Sequence, residues 1–303
     1  MNHLWTGVFP AITTQFHKDQ SLDIEATLRH AEVLIASGVN GLIVCGSLGE
    51  NQSLAPEEKR KVVEAFVKMS AGRVPVLSGV AESSTVAACQ YVRDCENLDA
   101  AGFMIMPAMV YKADARETLA YYRAVAAATG LPWMLYNNPI GYTVDVTPEM
   151  MLALSDVPNL VAMKESSGNT RRITEMRMVN GDRFALFTGV DDLILESSIL
   201  GIDGWVAGSG IAFPHENQQL WEFTRAGRWD EARTLLQWFH PLLKLDTHLK
   251  FVQYIKLMVQ ECELGSEWVR EPRLPLEDGE RDRVLEIIRQ GLAGRPALNR
   301  RAI

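Results

Sequence analysis

One lysine in the chain stands where a lysine is energetically costly. Lys164 follows the apolar residues 160–163, a run typical of a buried strand, and an ammonium group is disfavoured in such surroundings. Desolvation lowers the pKa of a lysine, and the neutral amine can attack a ketone or aldehyde to form a Schiff base. In this strand context an ordinary strand-end lysine, paired with Glu165 or with a helix C-terminus, is the alternative. Lys164 therefore indicates either imine chemistry or an ion pair.

Polar side chains also follow other apolar runs. Tyr136 could move protons at a forming imine, or pack its ring in the core with its hydroxyl at the rim. The turn Gly46–Glu50 offers backbone N–H groups suited to a carboxylate, with the Ser47 hydroxyl as a relay or ligand, although a plain tight turn would contain the same glycines. Asp191 and Asp192 could bind hydroxyls or a cationic group, or cap the next helix.

Eight short apolar or β-branched runs could position these side chains. They span residues 7–13, 41–45, 74–78, 102–106, 133–137, 160–164, 185–188 and 205–207. The longer stretches between them have helical periodicity; Val62, Phe66 and Met69, for example, share one face. Strands that alternate with crossover helices predict an α/β protein with a parallel sheet, and eight such units fit a closed (β/α)8 TIM barrel. The G-x-G-x-x-G fingerprint of a dinucleotide-binding fold is missing.

The chain beyond Gly208 has a different pattern. Residues 213–226, 229–239, 250–263 and 278–291 have helical periodicity, and no strand is predicted among them. We predict a barrel in residues 1–225 and a C-terminal helical extension in residues 226–303, packed on the barrel. Catalytic side chains of such barrels lie at the C-terminal ends of the strands, which is where Ser47, Tyr136 and Lys164 are expected.

Composition excludes several classes of function. The chain has 303 residues, a formal net charge of −8 and 47% hydrophobic residues. The acidic balance gives no electrostatic footprint for nucleic acid, and no apolar stretch approaches the ~20 residues of a membrane span. Four cysteines without a C-x-x-C pair predict neither a disulfide framework nor a zinc site. The six histidines form no H-x-H or H-E-x-x-H pair, which argues against a metal-dependent aldolase. We expect no metal, no other cofactor and a cytoplasmic location.

Three motifs occur in order along the chain, at residues 46–50 (Gly46-Ser47-Leu48-Gly49-Glu50), 131–139 and 161–169. With them the chain resembles the dihydrodipicolinate synthase and N-acetylneuraminate lyase superfamily of Schiff-base-forming (β/α)8 enzymes, from residue 7 to residue 276. The resemblance implies that Lys164 is the Schiff-base lysine, Tyr136 the proton-transfer phenol, steered by Ser47, and Ser47 the hydroxyl of a carboxylate-binding turn. The residues predicted to contact the substrate are Gly46, Leu48, Asn138, Tyr142, Gly189, Asp191, Asp192 and Val206.

The same resemblance implies a reaction. Lys164 would add to the carbonyl of a 2-oxo acid such as pyruvate, water would leave, and the iminium would act as an electron sink. Carbon–carbon bond making or breaking, or elimination of a leaving group, would follow. The implied partner is this small-molecule acid, with no nucleic acid or membrane, and the implied assembly is a homotetramer built from dimers.

Three departures from the superfamily pattern bear on the substrate. Leu48 stands where dihydrodipicolinate synthases usually carry a second threonine. Met109, or a displaced Tyr111, stands near the place of a tyrosine that those enzymes contribute from a neighbouring subunit. Residues 140–143 lack the arginine expected to grip the carboxylate of aspartate semialdehyde, so a charge-assisted contact is missing there.

These departures favour a substrate that is not a dicarboxylate. Asp191 and Asp192 occupy the place where sialate lyases carry acidic residues that bind a polyol. We therefore predict a lyase acting on a hydroxylated 2-oxo acid or cyclic imine, such as a 2-keto-3-deoxy sugar acid or 4-hydroxy-1-pyrroline-2-carboxylate. The alternatives are 4-hydroxy-tetrahydrodipicolinate (dihydrodipicolinate) synthase and a barrel that binds a keto acid without turnover.

Overall fold

Eight parallel strands form the centre of the computed structural model, which describes residues 3–108 and 111–297. They are β1 (Gly7–Val8), β2 (Leu42–Val44), β3 (Val76–Val80), β4 (Gly102–Ile105), β5 (Trp133–Asn137), β6 (Leu160–Glu165), β7 (Ala185–Thr188) and β8 (Gly204–Trp205). Strands β2 to β8 pair in sequence order, and β8 pairs with β1. The Ile43 N–H donates to the Pro10 carbonyl at 2.9 Å, which joins β2 to the segment after β1. The predicted (β/α)8 barrel is confirmed.

Twelve helices surround or follow the strands in the described part of the chain. They are α1 (Ile24–Ala36), α2 (Pro56–Ser70), α3 (Thr85–Glu96), α4 (Ala115–Ala126), α5 (Pro139–Tyr142), α6 (Pro148–Ala153), α7 (Arg171–Asn180), α8 (Ile194–Ile199), α9 (Pro214–Arg225), α10 (Trp229–Leu243), α11 (Phe251–Glu261) and α12 (Asp278–Ala293). In α2, Pro56 stands in the first turn, and the Glu58 carboxylate accepts from the Ala55 N–H at 2.9 Å. Its buried face carries Val62 and Phe66, as the periodicity predicts.

The core lies inside the barrel and between the strands and the helices. Trp133, Phe187 and Trp205 are almost completely buried. Nearly every strand residue is buried, both those that point into the barrel and those that point towards the helices. Strands covered on both faces appear in sequence as continuous apolar runs, which is why the runs alone predicted them. Gly204 leaves the space that the Phe187 ring fills, because a Cβ there would lie 2.1 Å from that ring.

Of the last three helices, α10 and α11 pack against the barrel, and α12 packs against α10 and α11. Most side chains of α11 are buried, and α10 packs against α9 and α12. A short 3-10 helix, Lys244–Thr247, connects α10 to α11 and packs against the 3-10 helix Asp191–Leu193 that follows β7. A C-terminal helical extension is therefore present. None of the helices described is long and apolar enough to cross a membrane.

Candidate active site

A cavity of about 930 Å³ opens at the C-terminal ends of the strands. Nine of the eleven residues predicted for the site line it: Ser47, Leu48, Tyr136, Asn138, Tyr142, Lys164, Gly189, Asp192 and Val206. Gly46 and Asp191 are not among the lining residues. The fold thus brings side chains from five different strand ends to one space, as expected for a barrel of this kind.

Lys164 and Tyr136 lie side by side in the wall of this cavity. They are register partners on β6 and β5, and the Lys164 Nζ lies 4.0 Å from the centroid of the Tyr136 ring. Burial lowers the pKa of Lys164, and burial raises the pKa of Tyr136 to about 12. Low dielectric thus favours the neutral form of both groups, which is the form in which an amine is nucleophilic.

The structure does not show the alternative in which Lys164 pairs with Glu165. Within residues 3–108 and 111–297, Lys164 makes no ion pair. The Glu165 carboxylate instead accepts hydrogen bonds from the Asn137 side chain at 3.0 Å and from the Ser167 N–H. The amine is therefore left to face the cavity.

Gly189 gives the lysine its space. A Cβ at this position would lie 2.2 Å from the Lys164 Cε and 2.2 Å from the Ser166 Oγ. Ser166 is buried and lines the cavity, and its hydroxyl has no hydrogen-bond partner among the residues the structure describes. The sequence did not single out Ser166 as functional, although it belongs to the third motif.

The turn after β2 lines the cavity and contains backbone donors without an acceptor in the described residues. Glu50 adopts a left-handed conformation with φ of 55°, and the Asn51 side chain donates to the Cys45 carbonyl at 2.8 Å, which holds the turn closed. In the described part of the chain, the N–H groups of Ser47 and Leu48 have no acceptor. Two free N–H groups at a cavity wall can bind a carboxylate. Gly46 lies behind them, and its carbonyl accepts from the Asn51 N–H at 3.2 Å.

Ser47 contacts Tyr142 rather than Tyr136. Its hydroxyl is hydrogen-bonded to the Tyr142 hydroxyl, and the Tyr142 ring lies edge-on to that of Tyr136 at 5.5 Å. The Tyr136 hydroxyl accepts from the Asn138 side chain at 3.2 Å, and Asn138 also caps α5. Tyr142 lies between Ser47 and Tyr136, so steering of Tyr136 by Ser47 would act through Tyr142 and stays a prediction. Tyr111 is exposed and does not line the cavity, and Met109 lies outside the described residues.

The two adjacent aspartates have different surroundings. Asp191 is completely buried and accepts from the Trp205 indole at 2.9 Å and from the Gly208 and Ser209 N–H groups at 3.1 and 2.6 Å. Its carboxylate thus satisfies the backbone after β8 and not a substrate, although burial raises its pKa to about 6. Asp192 does line the cavity, and its Oδ1 is buried without a partner in the described residues. Neither caps α8, whose N-cap is Leu193.

Two charged residues at the cavity were missed from the sequence. Asp246 comes from the 3-10 helix before α11, and Arg273 from the segment before α12. The Arg273 guanidinium donates to the Ser53 hydroxyl at 3.3 Å. Neither residue lies at a strand end or in a recognisable motif, so no local signal pointed to them. Among the residues described, no three His, Cys, Asp or Glu side chains are placed to hold a metal ion.

Comparisons with known proteins find relatives that are similar in sequence and in fold. The model of the Dihydrodipicolinate synthetase family matches residues 4–291. The 4-hydroxy-tetrahydrodipicolinate synthase of Phenylobacterium zucineum is 30% identical over 290 residues, 94% of this chain and 97% of that protein. The crystal structure of dihydrodipicolinate synthase from Aquifex aeolicus is similar with a TM-score of 0.90 and 26% identity, over 94% of this chain and 98% of that one. YagE of Escherichia coli, of the same family and crystallised with pyruvate, has a TM-score of 0.88 and 26% identity, over 95% and 99% of the two chains.

Proposed function

The chain belongs to the dihydrodipicolinate synthetase family and is a lyase, and we propose that its Lys164 forms a Schiff base with the carbonyl carbon of a 2-oxo acid. The observation that carries this proposal is the buried Lys164 amine beside the Tyr136 ring, which forms no ion pair with any residue that the structure describes. A lysine whose only local role was structural would be expected to pair with a carboxylate at this depth.

Other residues that line the cavity can bind the 2-oxo acid and move protons in this reaction. The free N–H groups of Ser47 and Leu48 bind the carboxylate of the 2-oxo acid, which places its carbonyl carbon over the Lys164 amine. The Tyr136 phenol moves the proton between the attacking nitrogen and the carbonyl oxygen. Once formed, the iminium withdraws electrons from the neighbouring carbon, so a bond there can be made or broken.

For the second substrate, the comparisons favour the reaction that the sequence ranked as an alternative. Curated relatives are named 4-hydroxy-tetrahydrodipicolinate synthase, and a structural relative was crystallised with pyruvate. Residues 140–143 lack an arginine, but Arg273 offers a cation to a second carboxylate in the same cavity. We therefore place 4-hydroxy-tetrahydrodipicolinate synthesis first.

One observation favours the hydroxylated substrates as a second candidate. The buried Asp192 Oδ1 has no partner within the described residues, and a substrate hydroxyl could donate to it. A 2-keto-3-deoxy sugar acid and 4-hydroxy-1-pyrroline-2-carboxylate both have a hydroxyl group that can make this hydrogen bond. Aspartate semialdehyde has no such hydroxyl group, and an anionic side chain would repel its carboxylate.

Borohydride trapping tests the Schiff base. Incubation with pyruvate and borohydride should add a reduced adduct to Lys164, located by mass spectrometry of the digested protein. Lys164→Ala should give no adduct and no turnover, while Lys250→Ala, which changes an exposed lysine on the surface, should match the wild type. Full activity of Lys164→Ala would overturn the proposal. An adduct without turnover of any substrate would instead support a barrel that binds a keto acid without catalysis.

A substrate panel separates the two candidate reactions. Pyruvate with aspartate semialdehyde is compared with the hydroxylated acids and the cyclic imine. If the first pair is turned over, Arg273→Gln should raise its KM while Asp192→Asn leaves it nearly unchanged. If a hydroxylated substrate is used, the two variants should show the opposite pattern.

Assembly and location belong to the same proposal. From the family we propose a homotetramer built from dimers, acting in the cytoplasm on a small-molecule substrate. Light scattering coupled to size-exclusion chromatography measures the assembly, and a mass of one chain, 33.8 kDa, would contradict the tetramer.

A further inference from the structure

A carboxylate from the C-terminal helices faces the same cavity as the candidate nucleophile. Asp246 belongs to the 3-10 helix Lys244–Thr247 and lines the cavity with Lys164. Among the described residues, its carboxylate receives no hydrogen bond and forms no ion pair. A carboxyl group in this position, without a structural partner, is available to reacting atoms.

The protein backbone makes room for this carboxyl group. A Cβ at Gly208 would lie 2.5 Å from the Asp246 Oδ1 and 3.0 Å from its Cγ, so only a glycine leaves the carboxyl group where it is. The Gly208 N–H is held in turn by Asp191 at 3.1 Å. The 3-10 helix of Asp246 also packs against residues Asp191–Leu193. The position of Asp246 is therefore built into the fold.

Burial acts on Asp246 and Lys164 in opposite directions. It raises the pKa of Asp246 well above the usual value, and the neighbouring Asp191 and Asp192 raise that pKa further, while the Lys164 charge opposes the shift. It lowers the pKa of Lys164, although Asp246 is the strongest of the charges that oppose this effect. The low-dielectric cavity thus favours a protonated acid near a neutral amine. The two groups have complementary protonation states for imine formation.

We propose that Asp246 is the general acid that expels water from the carbinolamine on Lys164, an inference that rests on the Schiff-base function proposed above. After the Nζ has attacked the carbonyl carbon, that carbon carries a hydroxyl group and the Lys164 nitrogen. Asp246 donates its proton to the hydroxyl, the carbon–oxygen bond breaks, and the nitrogen lone pair forms the C=N bond. The products are the iminium cation, one water and the Asp246 carboxylate, which balances the new positive charge. Tyr136 serves the preceding proton transfer from nitrogen to oxygen.

The rate of adduct formation tests this role. Wild type and Asp246→Asn are mixed with pyruvate and quenched at set times with borohydride, and the adduct on Lys164 is counted by mass spectrometry. At saturating pyruvate, Asp246→Asn should form the adduct about 100-fold more slowly, the lower range for loss of a general acid. The pyruvate concentration for half the maximal rate should stay within about threefold, because the carboxylate-binding N–H groups are untouched.

Two further variants distinguish loss of the Asp246 acid from an effect of the substitution on folding. Lys244→Gln alters an exposed side chain of the same 3-10 helix that does not line the cavity, and should keep the wild-type rate. Gly208→Ala pushes the Asp246 carboxyl group aside and should slow adduct formation without changing the acid itself. Melting temperatures are measured for all variants. Should Asp246→Asn fail to fold, Gly208→Ala decides the question.

The outcomes separate this role from the proposed function. A wild-type rate in Asp246→Asn, or in Gly208→Ala when the first variant does not fold, overturns the general-acid role and leaves the Schiff base standing. An unchanged maximal rate with weakened pyruvate binding overturns it as well, because the residue would then only bind. If the wild type itself forms no adduct on Lys164, the proposed function fails and the role of Asp246 fails with it.

Discussion

Replacing Lys256 by methionine tests how α11 supports the turn that binds the carboxylate. The Lys256 ammonium is completely buried and donates to the Glu50 carboxylate at 2.8 Å and to the Thr14 carbonyl at 2.7 Å. Glu50 ends the turn that carries Ser47 and also accepts from the Arg270 N–H at 3.1 Å. Methionine reproduces the unbranched side chain as far as Cε but removes the charge and the donors of the ammonium group. The buried Glu50 carboxylate then loses its ion pair with Lys256 and keeps the hydrogen bond from the Arg270 N–H.

The expected loss of stability follows from this burial. Removing one partner of a buried pair costs about 3–5 kcal/mol, because the other charge stays in low dielectric. The Arg273 guanidinium, 3.9 Å from Glu50, remains and offsets part of the loss, so the lower limit of about 3 kcal/mol is expected. Over 303 residues the entropy of unfolding is about 0.6 kcal/mol/K, so this corresponds to a fall of about 5 °C in Tm.

Thermal and urea unfolding measure this loss. The matched control is Lys250→Met, because Lys250 also pairs with a glutamate, Glu280, but at the surface, where such a pair contributes less than about 1 kcal/mol. The double variant Glu50→Gln with Lys256→Met should recover part of the stability, since no buried charge is then left alone. A Tm of Lys256→Met within about 1 °C of the control would refute the reasoning.

Two further predictions concern a buried histidine and the hydroxyl pair of the cavity. The His30 Nε2–H donates to the Ile211 carbonyl at 2.8 Å, and burial lowers the pKa of His30 to about 4. As the pH falls from about 6.5 to 4, the unfolded chain binds a proton at His30 before the folded chain does, which lowers the free energy of unfolding of the wild type by up to about 3 kcal/mol. Urea unfolding of His30→Gln should therefore depend less steeply on pH. An equal slope for the two proteins would contradict this. Tyr142→Phe removes the hydroxyl bonded to Ser47 and should slow adduct formation on Lys164 about 10-fold at unchanged Tm, whereas a wild-type rate would exclude Tyr142 from proton transfer.

The strands were predictable because each is buried on both faces and is short. The bounds of several runs differ from those of the strands: β3 is Val76–Val80 where residues 74–78 were predicted, and the first run differs most. Residues 7–13 were predicted as one strand, whereas β1 contains only Gly7–Val8. Pro10 has no N–H to donate to a ladder, so pairing beyond Val8 is reduced to single bonds such as that from the Ala11 N–H to the Ala207 carbonyl. An apolar run predicts burial, but it does not predict where the ladder stops.

Part of the cavity was predictable for a geometric reason. Lys164, Tyr136 and Ser47 each follow an apolar run, and the C-terminal ends of parallel strands meet at one rim. The direction of a side chain after the strand end was not predictable in the same way. Asp191 and Asp192 are adjacent and chemically identical, yet only Asp192 lines the cavity, because N–H groups 17 and 18 residues further on hold Asp191.

The C-terminal helices show most clearly what local patterns miss. Asp246, Lys256 and Arg273 all belong to the predicted extension 226–303, and each contacts the cavity or the turn beside it. The bond between Lys256 and Glu50 joins residues 206 positions apart, so no window of sequence contains both partners. A barrel ending at residue 225 would lack one carboxyl group and one guanidinium of the cavity and the ammonium that holds Glu50. The boundary between barrel and extension therefore separates two kinds of topology, while the chemistry depends on both.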